Sequence, residues 1–174
     1  MRARHLDARG VVRAWLLLGI GALALATAIA LVLAASRAPV LGERLPVAGW
    51  FRTALVLHVV LAVGVWSLSV AAAHWSALAP STRAVWLPLG VAAAGVFAML
   101  AAPYIEPGEP VLNNYLPVLN SSTFLGGLVV FGAGVLSAYL MALGHAGAAP
   151  AGERGTHDAV PALLSGVPLL MAIV

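Results

Sequence analysis

The sequence predicts an all-α fold: a polytopic membrane helix bundle with four complete transmembrane helices and a truncated fifth. Three observations predict it. Hydrophobic residues make up 62% of the chain and charged residues only 9%, whereas a soluble domain carries about a quarter charged and just under half apolar residues. The apolar residues fall into long runs, and a helix crosses a bilayer with roughly 20 of them. The nine basic residues, all arginine, and the six acids lie outside these runs. Such a pattern excludes a water-soluble globule, a disordered chain and a nucleic-acid binder with a basic face. The chain has no cysteine, which excludes disulfides, thiolate zinc sites and cysteine-ligated iron–sulfur clusters.

The 174 residues read as a single membrane domain. The first span covers about residues 14–35. Its apolar core of 22 residues is longer than the roughly 7–15 of a secretory h-region, so it reads as a retained helix rather than a signal peptide. The second covers about 53–77, the third about 84–102 and the fourth about 123–146. A fifth apolar stretch, about 159–174 (AVPALLSGVPLLMAIV), runs to Val174 with no polar flank and reads as an incomplete span. With the N-terminus in the cytoplasm, inside segments hold Arg2, Arg4, Arg9, Arg13, Arg83 and Arg154, and outside segments hold Arg37, Arg44 and Arg52. The excess places the N-terminus on the cytoplasmic side. The outer loop, 103–122, carries Pro103, Pro107, Pro110 and Pro117, which predict turns rather than helix. It reads as an ordinary structured loop or as a lid over something bound at the helix ends.

Ionisable side chains are costly inside a bilayer and therefore informative. His58 lies about five residues into the second span. A neutral imidazole there either hydrogen-bonds to a neighbouring helix or ligates a haem iron or another metal. Small residues on its helical face, Ala62, Ser69, Ala72 and Ala73, leave room for a flat macrocycle or a close helix neighbour. Arg52, six residues earlier, either pairs with a haem propionate or snorkels at the interface. His74 lies about 24 Å further along the helix from His58 and about 160° around it, so the two cannot hold one iron. His74 reads as an interfacial anchor. With His145 at similar depth it forms the one two-histidine site the sequence offers. His5 and His157 lie in charged segments. No phosphate loop, paired intramembrane carboxylates, zinc motif or serine-hydrolase elbow is present, and no catalytic residue is assigned. In the fourth span Gly126, Gly127, Gly132 and Gly134 allow close helix approach.

The stretch FRTALVLHVVLAVGVW (51–66), with EPGEPVLNNYLPVLNSSTFLGGLVVFGAGV (106–135) one helix later, resembles the beginning of subunit I of the haem–copper oxidases, in its divergent bacterial members. The resemblance implies that His58 is an axial ligand of a low-spin, b- or a-type haem. It also implies electron transfer to an oxygen-reducing centre, other oxidase subunits as partners beside the lipid bilayer, and cytochrome c or a quinol as electron donor. In that family the second low-spin ligand, the high-spin haem ligand and the copper-ligating histidines come from later helices, which this sequence lacks. The residue after the histidine is often small in the family; here it is Val59. The expectation is therefore an N-terminal part of such an oxidase, inactive as 174 residues alone. Two alternatives are a small non-catalytic scaffold or assembly protein, and a small membrane b-type cytochrome using His74 and His145.

Overall fold

A computed structural model describes residues 2–42, 49–79, 83–112 and 116–148. The apolar stretch 159–174, His157 and Arg154 lie outside the described residues, as do Arg44 and Asn113 to Tyr115. Helix α1 runs Arg2–Ala35 and a short α2 Pro39–Gly42. Helix α3, Phe51–Val59, passes through a π segment, Val60–Val65, into α4, Trp66–Leu78. A 3₁₀ turn, Arg83–Val85, opens α5, Trp86–Ile105, and α6 is Ser122–Ala148. Four of the helical stretches are long and apolar enough to cross a membrane. Two hydroxyls inside them are satisfied locally: Thr27 and Ser137 donate to the Leu23 and Ala133 carbonyls, four residues back, at 2.8 and 2.7 Å.

The helices stand as a ring in which spans consecutive in sequence run antiparallel, while α4 and α6 run parallel. Helix α1 packs along α3, the π segment and α4; α4 packs on α6, and α6 lies along α5. Only the seam between α1 and α5 is loose. The α5–α6 contact is the closest because glycines face each other. A Cβ on Gly95 would sit 2.6 Å from the Gly127 carbonyl oxygen, and one on Gly134 2.6 Å from the Ala92 nitrogen. Between helices in lipid, such backbone approach replaces the hydrophobic drive of a soluble core. Of the four α6 glycines expected to permit it, Gly127 and Gly134 do, while Gly126 and Gly132 face open space.

Two expectations are corrected. Residues 103–105 continue α5, so Pro103 lies inside the helix and the loop begins at Glu106. The fold also has a small β component: Glu109–Val111 pairs antiparallel with Val118–Asn120 (β1 and β2). Gly108 permits this turn-back, since a Cβ there would meet the Asn120 carbonyl at 2.6 Å.

The π segment was not foreseen. There the Trp66 N–H reaches the Leu61 carbonyl, five residues back. One residue beyond the α repeat turns everything after it by about 100°. His74 therefore lies about 60° around from His58 rather than about 160°.

Candidate functional site

His58 sits half-buried on the last turn of α3, facing α1. Its Nδ1 lies 2.9 Å from the Ala26 carbonyl oxygen. A carbonyl only accepts, so Nδ1 carries the proton, and in the neutral ring Nε2 keeps its lone pair. The backbone of α1 thus fixes both the tautomer and the plane of the imidazole. Further along, Gly19 of α1 meets Ser69 and Trp66, with a Cβ placed there 3.1 Å from both side chains. With the π segment between them, Ser69 lies about 80° around from His58 rather than on its face, and it packs against α1.

Arg52 is exposed on the first turn of α3. It stands about 9 Å along the helix from His58 and about 120° around it, so the two do not share a face. His74 and His145 are both exposed. At their end of the bundle the close contact is aromatic: Trp75 and Tyr139 pack edge to face, with centroids 5.0 Å apart. Among the described residues no three His, Cys, Asp or Glu side chains are gathered to hold a metal ion.

The loop folds back onto the bundle rather than extending away. Its strands pack against α3, and β2 against α6. The Leu116 side chain is van der Waals distance from where a Gly64 Cβ would lie, 3.8 Å. A pocket of about 230 Å³ remains beneath it, lined by Val60, Leu68, Leu116 and Phe131. Gly64 is at least about 120° around the helix from His58, so this contact lies on a different flank.

Glu106 closes the base of the loop, a role the sequence reading missed. Its carboxylate accepts hydrogen bonds from five donors: the Ser121, Ser122 and Thr123 hydroxyls and the Ser122 and Thr123 N–H groups, at 2.7–3.4 Å. Ser121 caps α6 by accepting from the Phe124 N–H at 3.3 Å. A negative charge at a helix N-terminus also favours the helix dipole. The Ser122 hydroxyl first, then the Thr123 and Ser122 N–H groups, hold the Glu106 pKa at about 2 against the usual 4.5. The group is depressed, so its contribution to stability is complete above about pH 4.5 and fades as the pH falls towards about 2. Glu106→Gln, which places an amide among these donors, should speed hydrogen exchange at residues 118–125 at pH 7. At pH 3 the gap between variant and parent should narrow. Equal exchange at pH 7 would show that the clasp does not hold the loop.

No family model and no solved structure matches the chain. It is 30% identical over 148 residues to an uncharacterised protein of Rickettsia prowazekii (strain Madrid E), an alignment that covers 71% of this chain and 29% of that protein. The chain therefore spans less than a third of the length of the curated relative it matches.

Proposed function

We propose that the chain is the N-terminal, four-helix part of a longer membrane oxidoreductase of the haem–copper oxidase subunit I type, with His58 as an axial ligand of its low-spin haem. The observation that carries this reading is the hydrogen bond from His58 Nδ1 to the Ala26 carbonyl. Ligating histidines characteristically donate their other ring N–H to a carbonyl or carboxylate, which orients the ring and raises the basicity of the bare nitrogen. His58 fits that pattern with Nε2 as the ligand atom. The length of the Rickettsia relative supports a chain with further helices. A bound haem would supply one-electron transfer. Ala26 holds the proton on Nδ1 and keeps the ring from rotating. Arg52 is a weaker candidate for a propionate partner, being on another face of α3.

In this reading the copper and the second haem belong to helices outside this sequence. The electron donor is cytochrome c or a quinol, and the location is a bacterial inner membrane with the N-terminus in the cytoplasm. The same hydrogen bond favours a second reading, in which His58 ties α3 to α1 in a non-catalytic scaffold. Absorption spectroscopy separates them. The longer protein, purified from membranes, should show a reduced-minus-oxidised band of six-coordinate low-spin haem; the 174-residue chain alone should retain little or none. A longer protein free of haem would leave the scaffold reading standing.

A further inference from the structure

The end of the bundle that carries the N-terminus is bordered by arginines from two elements that meet there. Gly10 of α1 is the meeting point: the Trp86 ring, at the start of α5, lies 3.1 Å from where a Gly10 Cβ would be. Arg9 and Arg13 flank Gly10 within about 5 Å along the helix. Both are exposed, whereas Val11 and Trp15, about 120–160° around α1 from them, are buried in the bundle. Arg83 is exposed one 3₁₀ turn before Trp86, and residues three apart in such a turn eclipse, so both stand on one side. The turn itself packs against α1. Arg2 and Arg4, earlier in α1, add to the positive charge of this end. Asp7 stands about 160° around α1 from Arg9, and Glu106 and Glu109 lie at the opposite end of the bundle.

We infer that Arg9, Arg13 and Arg83 hold the headgroup of one anionic phospholipid, its phosphate lying between α1 and the turn that opens α5, beside the Trp86 indole. Charge sets the sign of the ligand, and a guanidinium matches a phosphate through two parallel hydrogen bonds. Depth selects a lipid over an acidic segment of a protein. Leu17, one turn beyond Arg13 on the same face, is 69% exposed, and Leu87, beside Trp86, is 71% exposed. On a membrane-spanning helix such side chains stand in hydrocarbon. Arg13 therefore sits where hydrocarbon gives way to headgroups, a level that tryptophan also favours. Basic clusters immediately beside a span attract anionic lipids in this way. The inference does not depend on the haem reading.

The test is native mass spectrometry of the full chain in an uncharged detergent, titrated with phosphatidylglycerol or phosphatidylcholine. One phosphatidylglycerol should survive activation that strips phosphatidylcholine. Arg13→Gln and Arg83→Gln should each lower the preference for the anionic lipid about fivefold, and the double variant at least about tenfold. Both side chains are exposed, so the fold survives these changes. Arg37→Gln removes the same charge at the opposite end of α1, where Arg37 is also exposed, and should leave the preference unchanged. Equal retention of the two lipids by the parent chain would overturn the proposal, as would a double variant with the parent's preference. A loss in Arg37→Gln as large as that in Arg13→Gln would show attraction to net charge in place of a site, and would also overturn it. Retention of a hexaglutamate peptide ahead of phosphatidylglycerol would assign these arginines to a protein partner and end the lipid assignment.

Discussion

In the longer protein, His58→Ala should abolish the low-spin haem band while the protein still inserts in the membrane. The His58 imidazole would hold the haem iron, which would supply one-electron transfer, and alanine offers no ligand atom. The substitution adds no charge, so the cost to the fold is limited to one hydrogen bond, worth about 0.5–1.5 kcal/mol net, and the space left by the ring. His58→Gln separates ligand from helix tie. Its amide retains an N–H donor for the Ala26 carbonyl, but it is a poor ligand for haem iron. If His58 ligates, both variants lose the band. If it only ties α3 to α1, glutamine should preserve the thermal stability of the parent while alanine lowers it. A band of full intensity in His58→Ala would end the ligand assignment.

Gly95→Leu should have the largest effect on the bundle itself. Even a single methyl at this position would lie 2.6 Å from the Gly127 carbonyl oxygen, and backbone cannot rotate aside as a side chain can. Helices α5 and α6 would have to separate along the contact that holds half the ring together. Overpacking typically costs about 1–3 kcal/mol, and more where the neighbour is rigid. Gly126→Leu, one residue from Gly127 but facing open space, is the matched control. Thermal unfolding in detergent followed by size-exclusion chromatography should show Gly95→Leu melting well below the parent and the control. Coincident melts would mean that the glycine contact contributes little.

The four spans were legible because crossing a bilayer demands long uncharged runs, and hydropathy reports these directly. Helix ends were less so. The proline rule placed the third boundary at 102, yet α5 continues through Pro103 to Ile105. His58 stood out as a polar residue in an apolar run, but its partner is a backbone carbonyl on another helix, and such a partner has no sequence signature. The Glu106 clasp was hidden for a related reason: its donors lie 15–17 residues away and meet it only when the loop closes. The run Ser121-Ser122-Thr123 before an apolar stretch was the available signal, since hydroxyl residues favour helix starts. Composition identified the glycines of α6 but not which of them face α5.

The π segment bears on how relatives of this chain should be aligned. A homologue with a plain α-helix through this region would have one residue fewer between Val59 and Trp66. Its alignment would need a single gap there, in the middle of a transmembrane helix, where gaps are ordinarily penalised. Forcing the two sequences together without it would pair lipid-facing positions of one with α1-facing positions of the other from Trp66 onward. Apparent divergence in the second half of this helix would then measure an unmarked deletion rather than altered chemistry.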